Sequence, residues 1–286
     1  MTTLHERAGR RCHNVLNPLH STVYFTPETR EEMGALGLTD WSSAYFTSRS
    51  AALGAVGPGT VAATFYSFSY DLIARHLPAA WETATPGQVL DARLRAADRS
   101  LRRLLGPEAI ASPELAEAAT LALRATEACE RGARPLYAAH ADLPVPEEPH
   151  LALWHAATLL REHRGDAHLA VLQGADLPGL DAQVTHTASG KGMSLKWALG
   201  TRGYTEDDWS AAQERLRARG LLDAAGELTD EGVALRRELE VETDRRDRAP
   251  YEHLGAAGVE RLTELGTVFS GAVIGAGGFP DDLIGG

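Results

Sequence analysis

Residues 85–106, TPGQVLDARLRAADRSLRRLLG, form the segment that most constrains the fold of this chain. Apolar side chains recur in it every three or four residues, which is the spacing of one face of an α-helix: Leu90, Leu94, Ala97, Leu101, Leu104 and Leu105. Other helix starts are indicated by Thr26 before Pro27 and by Ser112 before Pro113. Ala, Leu, Arg and Glu dominate the chain, and β-branched residues are sparse. We therefore predict a mainly α-helical protein.

The chain of 286 residues is long enough for two domains. The segment PVPEEP, residues 144–149, is rich in proline, which is typical of a connector between domains. We therefore predict an aromatic-rich helical domain over residues 1–146 and a second domain over residues 150–255. Residues 256–286 are expected to form a C-terminal helix and a Gly-rich tail.

The last third of the chain has the element order of a winged helix-turn-helix. SLKWALGTRG and YTEDDWSAAQERLRARGLL predict two successive helices, the second capped by Thr205. LLDAAGELT, residues 221–229, contains two short strand-like pieces around an Ala-Gly turn, and a long helix follows. This order predicts a winged helix-turn-helix domain with a small β-wing over residues 150–255. Five apolar side chains of this region are expected to face inward: Trp209, Ala212, Leu216, Leu221 and Leu222.

The stretch WSAAQERLRARGLLDAAGELTDEGVALRRELEVETDR, residues 209–245, resembles the winged helix of the MarR class. In that class a recognition helix ends in an L..RGL pattern and is followed by a wing and an LT.EG helix. The whole chain resembles an actinobacterial family of two-part helical proteins that contain such a winged helix. Three segments carry this wider resemblance: YFTSRSAALGAVGPGTVAATFYSF, LLREHRGDAH and LTDEG. The resemblance implies a bacterial protein with this fold, and it implies no particular activity.

The charge of the predicted recognition helix and wing disfavours DNA as the partner. Residues 205–248 contain 13 acidic and 8 basic residues, a net charge of −5, and the whole chain carries −11. Glu206, Asp207 and Asp208 lie at the helix end that would contact base edges, although phosphate binding favours basic residues. A small basic edge is the exception: Lys191, Lys196 and Arg202. DNA binding, by a MarR-like and ligand-responsive transcription regulator, is therefore the alternative function.

Polar residues lie on one side of the helix predicted over residues 150–164. His155, Thr158 and Glu162 are spaced to share a face, and Trp154 and Arg161 form the adjacent stripe. A Trp beside His, Thr and Arg in the middle of a helix is typical of a pocket wall. A set of surface salt bridges is the alternative interpretation, and the sequence leaves both open.

The same helix ends in a dense group of charged residues within LLREHRGDAH, residues 159–168. Gly165 is expected to end the helix, and Asp166 is expected to cap a following helix over residues 167–175. The charged side chains are therefore either solvated at a last helical turn or directed at a common target.

Aromatic residues are concentrated between residues 24 and 70, and Arg49 lies among them. Such a group suits a cavity for a flat or apolar organic ligand. An ordinary aromatic core, in which a carboxylate pairs with the Arg, is the alternative. Together with the helix over residues 150–164, the group predicts the following ligand-binding residues: Tyr24, Tyr45, Arg49, Phe65, Tyr66, Trp154 and Arg161.

Any chemistry is expected to use a histidine as general base, and the candidates are His20, His155 and His168. Arg49 or Arg161 would then hold an anionic group. The chain has no GxGxxG, Walker A or GxSxG motif, and the spacing of its histidines matches no metal-binding pattern. We therefore expect no cofactor and no metal, and the sequence does not decide whether the protein is an enzyme.

Cys12 and Cys129 lie far apart and outside any ligand-like pattern, which predicts two free thiols in a reducing cytoplasm. The N-terminal residues lack the apolar segment of a signal peptide, and no apolar run reaches the roughly 18 residues of a membrane span. We therefore expect a cytoplasmic protein with no membrane partner, and the sequence leaves its oligomeric state open.

These features together predict a small-molecule-binding protein or a cofactor-independent enzyme of specialised metabolism. Its ligand would be a small organic molecule in a pocket between the two predicted domains, and the winged helix would act as a scaffold with an acidic recognition helix.

Overall fold

The computed structural model describes residues 4–283. Within this range the chain is mainly helical, with fourteen α-helices, two short 3₁₀ turns and no strand. The mainly α fold class predicted from the sequence is therefore confirmed. In chain order the helices are α1 (Ala8–Ser21), α2 (Pro27–Ala35), α3 (Trp41–Ser50), α4 (Pro58–Phe65), α5 (Tyr70–Thr83), α6 (Pro86–Ile110), α7 (Pro113–Thr126), α8 (Pro135–Ala141), α9 (Pro149–Gly174), α10 (Gly179–Ala188), α11 (Leu195–Arg202), α12 (Glu206–Ala218), α13 (Asp230–Arg246) and α14 (Ala249–Gly275).

Residue contacts group the described chain into two units. The first unit contains the described residues up to Ala55, together with Ala80–Ala167 and Asp244–Phe279. The second unit contains Val56–Ala79, His168–Thr243 and the described residues from Pro280 onwards. Each unit thus combines separate stretches of chain, whereas the sequence suggests contiguous domains over residues 1–146 and 150–255. That contiguous division stays a prediction.

The core of the first unit is built around α1 and α14, which pack along each other. Helices α6 and α7 also pack against α14. The side chains of this core are mostly aliphatic, and Leu16, Leu19 and Leu262 are among those that solvent does not reach. Burying one such side chain contributes about 1.5–3 kcal/mol, so apolar burial is the main source of stability of this unit.

Helix α6 starts where the sequence predicts a helix, because its first turn is capped. The Thr85 hydroxyl accepts a hydrogen bond from the backbone N–H of Gln88 at 3.4 Å, and the Gln88 side chain accepts one from the Thr85 N–H at 3.0 Å. This reciprocal arrangement satisfies two N–H groups that a helix start otherwise leaves without partners. The cap fixes the residue at which α6 begins, and so the position of its apolar face against the core.

Helix α9 does not end at Gly165, so the sequence prediction of a helix break there is wrong. The helix continues from Pro149 to Gly174, and Gly165 is not among the glycines with a positive φ. Asp166 does cap a helix, but a different one from the helix predicted. Its Oδ2 accepts hydrogen bonds from the backbone N–H groups of Leu136 and Tyr137, at 3.0 and 2.9 Å, at the start of α8.

In the second unit, α10 to α13 follow one another in the order expected of a helix-turn-helix region. Helix α11 ends at Arg202 and is followed by Gly203, whose φ of +76° lies in the left-handed region that favours glycine, and α12 begins with the predicted cap at Thr205. The five side chains that were expected to face inward are all buried, so that expectation is confirmed: Trp209, Ala212, Leu216, Leu221 and Leu222.

The two strands predicted for the wing do not form in the described chain. Leu222 and Leu228 make a single antiparallel bridge, and a tight turn joins them. The turn is closed by a hydrogen bond from the Asp223 N–H to the Glu227 carbonyl at 2.9 Å, and Gly226 occupies it with a φ of +87°. The segment between the two leucines is too short to extend the pairing, so the predicted β-wing is reduced to a hairpin turn.

None of the helices in residues 4–283 is both long enough and apolar enough to cross a membrane.

We expect the contact between α1 and α14 to tolerate no added volume at Gly9. A Cβ atom at Gly9 would lie 2.6 Å from Cδ2 of the buried Tyr251 ring, so Gly9→Ala should destabilise the protein by about 1–3 kcal/mol. Gly34→Ala is the matched control, because a Cβ there meets no atom within 4 Å and Ala favours a helix over Gly. Urea unfolding of both variants measures the difference. Equal stability of the two variants would contradict the packing described here.

Candidate functional site

A cavity of about 200 Å³ lies within the first unit. Its size is similar to that of the roughly 150 Å³ protein cavity known to accept a benzene molecule. Its apolar lining comes from Leu90, Leu94, Leu143, Pro144, Pro146 and Trp154. Its polar lining comes from Asp91, Arg93, His140, His155 and Thr158, and Gly87 completes the wall. The cavity therefore combines a mostly apolar surface with a few polar groups, as small-molecule sites usually do.

Helical spacing explains why these side chains meet. Leu90, Arg93 and Leu94 are three and four residues apart on α6 and so share one face of it. Trp154 and Thr158 are four residues apart on α9 and share a face in the same way. Helix α8 contributes His140, and the helix-free stretch 143–146 completes the lining.

Arg93 is a buried cation at the wall of this cavity, with only 2% of its surface exposed. Its guanidinium donates hydrogen bonds to His140 Nε2 at 2.9 Å and to the Tyr24 hydroxyl at 3.3 Å. The same group lies over the Trp154 ring, 5.1 Å from the ring centroid. Among the described residues, no carboxylate lies within ion-pair distance of Arg93. Its partners are thus uncharged, although burial of a charge is costly without a counter-charge.

The side chain of His140 is a neutral imidazole, and its hydrogen bonds show which ring nitrogen carries the proton. Its Nδ1 lies 2.9 Å from the Leu136 carbonyl, which can only accept, so Nδ1 carries the proton and Nε2 accepts from Arg93. Burial, with the nearby Arg93 charge, lowers the pKa of His140 from 6.5 to about 4. Burial likewise lowers the pKa of His155 to about 4, again helped by Arg93. Both imidazoles are therefore uncharged at neutral pH.

A chain of hydrogen bonds runs from Arg93 to the cavity wall on α9. The Thr158 hydroxyl donates to the Trp154 carbonyl at 2.9 Å, so it accepts from His20 Nδ1 at 2.8 Å. His20 Nε2 then accepts from the Tyr24 hydroxyl at 3.2 Å, and the Tyr24 oxygen accepts from Arg93. Both ring nitrogens of His20 are thus engaged. Burial holds the pKa of His20 well below its ordinary value, so this residue orders the wall as a neutral group.

The two arginines predicted from the sequence, Arg49 and Arg161, belong to a separate cluster around Glu162. Arg161 approaches Glu162 Oε2 at 2.6 Å and Arg49 approaches the same oxygen at 3.4 Å, while Arg49 also donates to the Tyr45 hydroxyl at 3.3 Å. Burial alone would raise the pKa of Glu162, but the charges of Arg161 and Arg49 outweigh it and hold that pKa well below its ordinary value. Arg49 thus pairs with a carboxylate, which the sequence left open as the alternative to a ligand contact.

The remaining charged residues of the segment 159–168 in the first unit also have protein partners. His163 Nδ1 lies 2.6 Å from Asp247 Oδ1, and Arg164 donates to Asp244 at 2.8 Å. Burial raises the pKa of Asp247, and His163 and Arg164 oppose this effect. These side chains tie α9 to the stretch around residues 244–247 instead of ending in solvent.

Three of the predicted site residues lie in the second unit, and the structure places none of them in the cavity wall. The Phe65 ring packs against Phe68, with 6.0 Å between centroids. The Tyr66 hydroxyl donates to the Leu177 carbonyl at 2.7 Å. His168 Nδ1 lies 2.8 Å from the Thr243 hydroxyl. Of the predicted site residues, Trp154 and His155 line the cavity, and Tyr24 and His20 contact its wall through the hydrogen-bond chain.

The sequence prediction missed Arg93 and His140. Arg93 did carry a signal, because it lies three residues after Leu90 and four before Ala97 and so falls on the apolar face of α6. A charged residue on such a face must find a buried partner or a ligand. His140 carried no comparable signal, because its role depends on the contact between α8 and α6.

Cys12 and Cys129 are both free thiols, as predicted, and burial raises the pKa of each to about 12. Within residues 4–283, no group of three His, Cys, Asp or Glu side chains is arranged to hold a metal ion.

Comparison with known proteins gives one match. A family model described as a helix-turn-helix family matches residues 9–280. No curated protein and no solved structure matches the chain.

The buried histidines predict that stability falls as pH falls. His140 and His155 have an ordinary pKa of 6.5 when unfolded and about 4 when folded, so only the unfolded chain takes up protons between these values. Each group should therefore lower the free energy of unfolding by about 1.4 kcal/mol per pH unit as pH drops from 6.5 towards 4. Urea unfolding at several pH values measures this, and the free energy of unfolding of His140→Gln should change with pH by that much less per unit. An unchanged slope would contradict a neutral, buried His140.

Proposed function

Since the chain belongs to the helix-turn-helix family, whose fold alone does not determine an activity, we propose that its function lies in the cavity of the first unit. The protein binds a small organic molecule there, and the helix-turn-helix region serves as a scaffold. The observation that carries this proposal is the cavity itself, with its apolar lining and its buried polar groups.

The packing of protein interiors supports an occupant. Protein cores are close-packed, and the atoms that line a void lose dispersion contacts. A cavity of about 200 Å³ is larger than the space needed for one or two water molecules. Its wall is also held in place, because Arg93, Tyr24, His20 and Thr158 form one continuous hydrogen-bond chain. A site held in one arrangement binds with a smaller entropic cost.

Catalysis in this cavity would fall to His155. Its neutral imidazole lines the cavity and forms no hydrogen bond to another described residue. His20, by contrast, has both ring nitrogens engaged. A neutral imidazole with a nitrogen available can act as a general base. Binding is the function proposed here, and turnover of a bound molecule would require this residue.

We expect one-ring compounds to bind the protein and a cavity-filling substitution to prevent it. Leu94→Trp places an indole in the cavity, so it should abolish binding in a ligand-observed NMR screen of one-ring fragments. Arg95→Trp introduces the same side chain one residue further along α6, at an exposed position, and should leave binding intact. Fragments that bind both variants equally would place the site elsewhere, and a screen without binders would contradict the proposal.

A ligand-responsive DNA-binding regulator of the MarR type is the second candidate, and the helix-turn-helix family match supports its DNA-binding part alone. The acidic start of α12 opposes it. Asp208 is engaged in the capping box with Thr205, and Glu206 and Asp207 lie exposed beside it. These carboxylates would face the negatively charged walls of a DNA groove.

We therefore expect no binding to a mixed-sequence DNA duplex at about 0.15 M salt, where phosphate-driven binding still occurs for many DNA-binding proteins. Fluorescence anisotropy of a labelled duplex measures this over a series of salt concentrations. An affinity that is strong at low salt and falls steeply as salt rises would support the regulator instead.

A further inference from the structure

We propose that the ligand of the cavity is a small monocarboxylate with an apolar body, and that Arg93 provides its counter-charge. This inference rests on the proposed function, because it names the chemical class of the molecule bound there. It does not follow from the family match, which concerns the fold.

Arg93 brings a buried positive charge to the cavity lining. A guanidinium keeps its positive charge in proteins, and this one is almost completely buried. Its hydrogen-bond partners, His140 and Tyr24, are neutral at pH 7, because burial lowers the pKa of His140 and raises that of Tyr24. Glu162 is the carboxylate of the buried cluster nearby, but Arg161 and Arg49 already neutralise it. Asp91, the one carboxylate in the cavity lining, is exposed and forms no ion pair with Arg93. A ligand carboxylate would therefore provide the counter-charge that the described chain does not.

Two of the residues that line the cavity keep a hydrogen-bond donor without a partner. Nε of Arg93 and Nε1 of Trp154 are buried, and neither has a hydrogen-bond acceptor in the described chain. Both residues line the cavity. Both nitrogens lie beneath the cavity surface. A carboxylate only accepts hydrogen bonds, so it suits a site whose unsatisfied neighbouring groups are donors. An amine or ammonium ligand would add donors and a second positive charge at the same place.

The charges of the lining residues limit the ligand to one negative charge. Arg93 is the single permanent cation among the residues that line the cavity. His140 and His155 stay neutral at pH 7, because burial lowers the pKa of each to about 4. A dianion such as a phosphate monoester would keep a charge without a partner in an apolar site. The rest of the lining, which includes Leu90, Leu94 and Leu143, suits an apolar body of about one ring.

The test compares acids with neutral molecules of the same shape. Benzoate, phenylacetate and cyclohexanecarboxylate are titrated into the full-length protein at pH 7, each beside its amide, and binding is measured by calorimetry. We expect each acid that binds to do so about tenfold or more tightly than its amide, since a hydrogen bond to a charged group exceeds one between neutral groups. The preference should persist in 0.5 M NaCl, because a buried pair is poorly screened.

Arg93→Gln should remove the preference for acids over amides, whereas Arg95→Gln, at an exposed position on the same helix, should retain it. If Arg93→Gln does not fold, the comparison of acids and amides in the unmodified protein still decides the question. Equal affinity for acids and amides would overturn the monocarboxylate inference and leave small-molecule binding standing. An absence of binding by acids, amides and neutral one-ring fragments alike would overturn both.

Discussion

The buried charge of Arg93 is the constraint on which the candidate site depends. A guanidinium that solvent cannot reach must be held by hydrogen bonds, and here Tyr24 and His140 hold it. Tyr24 is held in turn by a hydrogen bond to His20, and His140 by one to the Leu136 carbonyl. The same contacts therefore settle the tautomers of two histidines and the position of the wall around the cavity.

Helix α9 serves two different purposes along its length. Its first half provides Trp154, His155 and Thr158 to the cavity. Its second half carries the charged segment 159–168, in which Glu162 forms a buried ion-pair cluster and Asp166 caps α8. The charged residues thus fix α9 against the rest of the first unit, and the cavity wall is positioned as a result. This is why a helix with so many ionisable side chains is largely buried.

Local rules predicted the helices well, because caps and apolar spacing act over a few residues. The capped start of α6 and the buried face of α12 followed from them. The break at Gly165 was wrong, since the Asp166 side chain caps a distant segment and not its own. The site was predicted in part: Trp154 and His155 stand out on one helix. Arg93 and His140 come together through tertiary packing, which helical spacing alone does not describe.

The arginines of α12 have partners within the second unit. Arg215 pairs with the buried Asp181 at 2.5 Å. Arg217 pairs with Glu214 at 2.6 Å. Arg219 donates to the backbone carbonyls of Asp176 and Ala175, just after α9, at 2.7 and 3.1 Å. To bind DNA phosphates, these arginines would have to leave their present partners. In this unit Arg215 and Arg217 pair with carboxylates of the chain itself, and Arg219 donates to backbone carbonyl groups.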